Sequence, residues 1–282
     1  MYLVMVRRLF ILTLLLPFQS NAVDVDISTT GLTSKNTHII YHWIEHGLRS
    51  VEGTIGTFPF KRIKFNVLKS TDPSQSVPWA QVIRGAPNEI NLYIDINASL
   101  SELIEDWTLY HEISHLYLPY LDYPSFWLNE GFATYVQYIA MLKSGVLGKR
   151  DYLKRVRRGL QSGAAMTKKL SGNLSYVSAN MWQLNAYKRV YWTGAAFFME
   201  VDKHLIQSGI SLFEVIATYS DCCLMHEQLG IDFIRQLDII AQSDIFYKTY
   251  KRYYKRQTFP LISQNDLNVI SSYYTEDQSF TR

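Results

Sequence analysis

From Asn36 onward apolar residues recur every fourth position, at Ile40, Ile44 and Leu48, the spacing that lines one face of an α-helix. His38, His42 and His46 fall on the opposite face. Four-residue spacing suits a metal ion, but no third ligand completes the set, so a solvated stripe is the simpler reading. Gly53 and Gly56 close the helix, and residues 62–68 then alternate with period two, as a half-buried strand does. Residues 77–84 and 89–96 read as two further strands around the turn-rich Gly85-Ala86-Pro87-Asn88. In the second of them Ile90, Leu92, Ile94 and Ile96 alternate with Asn91, Tyr93 and Asp95, which gives one aliphatic core face. Residues 23–35, rich in Asp, Ser, Thr and Gly, read as irregular.

Ser99 followed by Glu102 is a capping box. The helix it opens carries Leu100, Leu103, Ile104 and Trp107 on its apolar face and is expected to run unbroken past His111 to a stop at Pro119. Pro124 and Ser125 mark the start of the next helix. Residues 149–158 carry six basic residues against Asp151, a solvated helical face, and the Ser, Gly, Asn and Ala rich stretch 161–180 reads as a loop. The remainder, 201–260, is helical. There Tyr247, Tyr250, Tyr253 and Tyr254 interleave with Lys248, Lys251, Arg252, Lys255 and Arg256. Such interleaving can bind single-stranded nucleic acid, but an amphipathic helix covering a core explains it more simply. The pattern is that of an α+β chain: a small mixed β-sheet lobe at about 36–98, a mainly helical lobe at about 99–260, and a C-terminal tail at 261–282.

Composition alters this picture little. At 282 residues, 48% hydrophobic and 19% charged, the chain can bury a sizeable core. Arg7 and Arg8 precede the apolar run 9–18, and Ser20-Asn21-Ala22 offers small residues for a signal peptidase. The expectation is therefore a signal peptide at 1–22 and an exported protein, in a bacterial periplasm or secreted; an uncleaved anchor is the alternative. No other stretch approaches transmembrane length. Without Arg7 and Arg8 the 28 basic residues become 26 against 25 acidic ones, a balance that gives no reason to expect nucleic acid. Cys222 and Cys223 are adjacent. Because neighbouring cysteines bridge only with backbone strain, they are expected as two small, partly buried thiols, with a vicinal redox or metal pair as the lesser reading.

The chemistry concentrates in Tyr110-His111-Glu112-Ile113-Ser114-His115. On a helix the two imidazoles of H-E-x-x-H share a face and can meet one metal ion, while Glu112 stands close by without being a ligand. A catalytic zinc takes three protein ligands and keeps one position open. Glu130 is the candidate third ligand, with residues 116–129 giving enough chain for a loop and a returning helix. H-E-x-x-H alone is a modest signal, since three fixed positions also arise on ordinary solvated helices.

What strengthens it is Trp127-Leu128-Asn129-Glu130-Gly131-Phe132-Ala133-Thr134-Tyr135. With the H-E-x-x-H segment, this stretch resembles the gluzincin metallopeptidases, most closely the M1 aminopeptidase group and the related M61 group. The helix, glycine, Phe58-Pro59-Phe60 step and strand at the start of the chain resemble the opening of the same catalytic domain. The loop between the two metal motifs is shorter here than in the M1 group. The resemblance implies a thermolysin-like fold with one Zn2+ per chain, between the lobes, on His111, His115 and Glu130. It also implies Glu112 as general base. Tyr191, in Tyr191-Trp192-Thr193-Gly194-Ala195, resembles the family's Y-x-x-G-A segment, whose tyrosine stabilises the transition state; an ordinary core or surface tyrosine is the alternative. Gly85-Ala86-Pro87-Asn88-Glu89 invites comparison with the amine-binding G-A-M-E-N of the M1 group. Its order is wrong and Pro87 removes a donor, so it is read as a turn and Glu89 is given no amine-binding role. One of the strands at 77–84 and 89–96 is the candidate edge for pairing with an extended peptide. The expected function is an exported zinc peptidase acting on a peptide or protein substrate. The alternative is a zinc-binding, catalytically silent factor that keeps the peptidase fold.

Overall fold

In the computed structural model the stripe Ile40, Trp43, Ile44 and Val51 is buried on helix α1 (Ser34–Ile55), as the four-residue spacing requires. Thr33 and Asn36 form a capping box at its start, and Gly56, at φ 122°, ends it. The structure describes residues 23–30, 32–72 and 74–276, so the expected signal peptide at 1–22 lies outside the described residues.

Four strands follow the order β1-β2-β4-β3: β1 (Asp24–Thr30), β2 (Arg62–Lys69), β3 (Trp79–Ile83) and β4 (Asn88–Ile94). β1 and β4 pair parallel with β2, and β3 pairs antiparallel with β4, leaving β3 as a sheet edge. Ile63, Phe65 and Val67 of β2 and Ile90, Leu92 and Ile94 of β4 form the buried face. The irregular segment expected at 23–35 is corrected here. Val25 and Ile27 do alternate inward, but short polar residues obscure the period. The strand is fixed by its long-range partner β2, with Arg62 also paired to Asp24 at 2.7 Å.

The expected long helix from Ser99 is also corrected. The capping box is present, yet α2 (Leu100–Glu105) stops at Asp106, whose backbone is extended at ψ 134°. Asp106 Oδ1 accepts the N–H of Thr108 at 2.8 Å, so an aspartate competing for backbone donors starts a separate helix, α3 (Thr108–Ser114). His111 thus sits in the middle of a short, wholly buried helix rather than three turns into a long one.

The helical lobe continues with the two-residue strand β5 (Tyr120–Leu121), then α4 (Trp127–Lys143), α5 (Lys149–Lys169), α6 (Leu174–Ala179), α7 (Tyr187–Gln207) and α8 (Leu212–Cys222). β6 (Glu227–Gln228), which pairs with β5, leads to α9 (Gly230–Ala241), α10 (Ile245–Tyr254) and α11 (Gln264–Glu276). The loop expected at 161–180 is mostly the end of α5 and all of α6. Glycines of α5 serve packing: a Cβ at Gly159, just before this stretch, would lie 1.7 Å from the Trp192 ring, and one at Gly163, within it, would lie 2.5 Å from Phe259. α10 is the amphipathic cover, with Phe246, Tyr250 and Tyr253 buried. Cys222 and Cys223 are bonded to each other, contrary to the expectation of two thiols. The bond lies where α8 ends, and Cys223 has left helical backbone. Among the described residues no helix is long and apolar enough to cross a membrane.

α4 and α7 form the spine of this lobe. Asp202 of α7, wholly buried, accepts hydrogen bonds from Tyr135 of α4, from Tyr274 of α11 at 2.8 Å and from the first N–H of α8, at Leu212, also 2.8 Å. α11 lies within the stretch expected as a tail. Removing the carboxylate orphans three buried donors, so Asp202→Ala should lower stability by about 3 kcal/mol or more in urea unfolding. Burial raises the Asp202 carboxyl from 3.8 to about 6, so the folded state holds this proton more tightly than the unfolded state. Its contribution to stability therefore falls as pH rises from about 4 to about 6. The deficit of Asp202→Asn relative to wild type should shrink over that window and stay constant above it.

Candidate metal centre

α3 and the 3-10 turn after it (His115–Tyr117) present His111 and His115, while the first turn of α4 presents Glu130. Glu130 Oε2 lies 3.3 Å from His111 Nε2 and 3.8 Å from His115 Nε2, and the three ligand atoms fall within 4.8 Å of one another. Among the described residues this is the one such cluster found. The histidine stripe of α1 does not join it: His38 and His42 are exposed, with their Nε2 atoms 3.2 Å apart, and His46 turns toward Tyr110.

Each neighbouring residue of the second motif has a separate structural task. The Trp127 ring packs against Phe197, Tyr250 and Tyr253, and its backbone N–H is taken by Ser178 Oγ at 3.0 Å. Asn129 donates to the carbonyl of Pro119 at 2.8 Å and accepts from the N–H of Leu121 at 3.1 Å. It thereby clamps the connecting loop against α4 beside Glu130. Gly131 meets the backbone of Gly194, where an added Cβ would lie 2.3 Å away.

One participant was not anticipated from the sequence. Gln137 Oε1 lies 2.8 Å from His111 Nδ1. It stands seven residues after Glu130 on the same helix, hence on nearly the same face, which was the available signal. With the Nδ1 proton directed to Gln137, His111 Nε2 carries a lone pair aimed at the Glu130 carboxylate. Burial drives His115 down to about 3, against the pull of Glu130, so its imidazole is neutral. Burial works against a proton on His111, but Glu130 outweighs it and raises the group. For Glu130, burial is outweighed by His115 and His111, with Tyr191 adding to them, and the carboxyl is held below the usual range. Two buried lone pairs facing a carboxylate require a cation among them. One proton satisfies one pair, whereas a metal ion uses all three donors. Two imidazoles and one carboxylate form a donor set suited to zinc rather than to oxygen-seeking Ca2+ or Mg2+.

Glu112 stands outside the cluster. It accepts the backbone N–H of Val82 on β3, and burial pushes its carboxyl up to about 7. The Tyr191 ring stacks on His111 at 5.6 Å and its hydroxyl lies against Glu130, which together with burial holds it well above the ordinary tyrosine value. All these groups line a cleft of about 790 Å³. β3 and Arg84 form one wall; Tyr120, Phe126, Trp182, Tyr187, His226 and Glu227 form the other. Glu89 is elsewhere, bonded to Asn66 at 2.7 Å and 3.6 Å from Lys64, in keeping with the turn reading of 85–89.

No model of a known protein family and no curated protein matches the sequence. Solved structures do match the fold. An aminopeptidase N family protein from Idiomarina loihiensis superposes with a TM-score of 0.60 at 14% identity, over 87% of this chain and 47% of that one. An M1 zinc metallopeptidase from Deinococcus radiodurans gives 0.56 at 13%, over 85% and 50%. The chain spans about half the length of these structures. A mixed-sheet lobe with a mostly helical lobe fits an M1 peptidase-like domain, and the His-His-Glu cluster adds a candidate zinc site.

Purified protein should hold about one zinc per chain, as measured by elemental analysis. His111→Ala and His115→Ala should each lose most of it, and with it the rise in melting temperature on zinc addition. Gln137→Ala should keep the ligands but weaken zinc binding about 10–100-fold. Undiminished zinc in both histidine variants would refute the ligand set.

Proposed function

We propose that the chain is an exported zinc-dependent peptidase of thermolysin-like arrangement. The observation that carries this reading is a carboxylate, Glu112, buried in the same cleft as the His-His-Glu cluster but outside it. A site that only held zinc would have no use for a base there. Export is supported by the basic residues, apolar run and small residues at the N-terminus.

His111, His115 and Glu130 would hold zinc, with Gln137 fixing the tautomer of His111. Zinc, when bound, supplies a Lewis acid that polarises a carbonyl and makes a water acidic near neutral pH. Glu112 takes the proton of the attacking water on its carboxylate and returns it to the leaving nitrogen. The Val82 N–H orients that carboxylate, and its burial sets its basicity near neutrality. Tyr191, whose own proton is firmly held, donates to the developing oxyanion. The free edge of β3 offers unpaired backbone groups to an extended peptide, while Trp79 and Trp182, each partly exposed at the cleft, offer apolar contact to its side chains.

Glu112→Gln keeps an acceptor for the Val82 N–H but cannot take up the proton. It should stay folded and zinc-loaded, with peptide hydrolysis reduced by about 10²–10⁴-fold. Full rescue of a gene deletion by this variant would instead establish a zinc-binding factor without turnover.

Tyr191→Phe should lower kcat by about a hundredfold at unchanged zinc content. A change confined to KM would make Tyr191 a binding residue. Tyr187, one turn earlier on α7 and edge-on to Tyr191 at 6.4 Å, is the control. Loss of activity on Tyr187→Phe with none on Tyr191→Phe would reassign the role.

A further inference from the structure

Among the described residues Arg84 is the one arginine lining the cleft, and the steps assigned above leave it unused. It continues the line of β3, where exposure alternates: Trp79, Gln81 and Ile83 face outward, while Ala80, Val82 and Arg84 are half-buried. Its guanidinium donates to the backbone carbonyl of His115. Among the described residues no carboxylate pairs with it. A guanidinium carries five donors in a planar fork matched to carboxylates, so most of its capacity remains open. Burial lowers its pKa to about 10, which leaves it charged at neutral pH.

The charges around the centre nearly cancel without it. A divalent ion would balance Glu130 and Glu112, both of which already have tasks. Glu227 lies near Tyr120, which also acts on Arg84, but among the described residues no carboxylate acts on Arg84 itself. β3, the strand that would receive a peptide, carries no acidic residue. Arg84 therefore makes its wall of the cleft attract anions, and a free α-amine placed there would meet a cation. Val82, whose N–H holds Glu112, and Arg84 are two residues apart, about 6.6 Å along an extended strand. A peptide paired along β3 would thus bring a group one or two residues from the bond being cut to Arg84.

We propose that Arg84 anchors a substrate carboxylate one or two residues from the cleaved bond, selecting peptides with an acidic side chain or a free C-terminus there. This rests on the peptidase reading and narrows its substrate class.

The test uses the zinc-loaded full chain and matched peptides. One set carries Glu, Gln or Lys at each position flanking the cleaved bond. A second carries the C-terminus free or amidated, to separate the two sources of the carboxylate. Turnover is read by mass spectrometry, and binding by fluorescence anisotropy on zinc-loaded Glu112→Gln protein. Wild type should favour Glu over Gln, or the free over the amidated C-terminus, by about thirtyfold or more, mainly through KM. Arg84→Lys should keep part of the preference, and Arg84→Glu should reverse it toward Lys. If Arg84→Glu lowers cleavage and binding of every peptide alike, Arg84 only supports the His115 carbonyl and the proposal is overturned. Wild-type binding indifferent to peptide charge overturns it as well. Peptides bound with the expected preference but never cut would remove the peptidase reading and leave the anchor standing.

Discussion

The distance between α4 and α7 is set by glycine against glycine. A Cβ on Gly131 would lie 2.3 Å from Gly194, and a Cβ on Gly194 would lie 2.1 Å from the carbonyl of Trp127. Both obstacles are backbone, so no change of rotamer relieves them. Glu130 precedes one of these glycines and Tyr191 lies one turn before the other. The contact therefore fixes the Glu130 carboxylate relative to a hydroxyl carried more than fifty residues later in the chain. A close-packed interior transmits such a constraint because it holds few voids to absorb a shift. Further along α7, Asp202 ties α4, α8 and α11 to the same spine, away from the cleft.

The second motif accordingly specifies packing as much as ligation. Trp127 anchors the start of α4 in an aromatic cluster, Asn129 clamps the loop, Gly131 admits α7 and Tyr135 reaches Asp202. Only Glu130 faces His111 and His115. Their positions are held from outside the cluster, His111 by Gln137 and the backbone at His115 by Arg84. Holding ligands in place before an ion arrives lowers the ordering cost of binding it.

The cleft draws its two walls from different kinds of structure. On one side is a sheet edge, whose exposed backbone is hazardous on a free surface; here it borders the cleft and gives one N–H to Glu112. On the other side are aromatic side chains from the loop around Phe126 and from Trp182 at the approach to α7, which pack on each other at 5.5 Å. The cleft is thus lined by a free backbone edge and by aromatic side chains. Arg84 adds a positive charge to the lining of the cleft.

The sequence by itself determined what depends on local spacing. The i, i+4 relation of His111 and His115 brings their rings together, at 4.8 Å, and the capping box at Ser99 starts its helix as read. The two-residue period of β2 and β4 gave the buried sheet face, and the altered order in 85–89 kept Glu89 from being given a role in the cleft. Tertiary structure decided what depends on partners far along the chain. β1 exists because β2 lies beside it, although its own residues are mostly polar. The glycines of α5 look like loop residues until Trp192 and Phe259 occupy the space they leave. Asp106 breaks the helix before His111 by accepting hydrogen bonds on its side chain, from Thr108 and from the Val77 backbone, against a strong helical pattern. Gln137 and Arg84 carry no motif, and their importance appears only when folding sets one against an imidazole nitrogen and the other in the cleft beside it. Periodicity records which face of an element is buried; it does not record what that face is buried against.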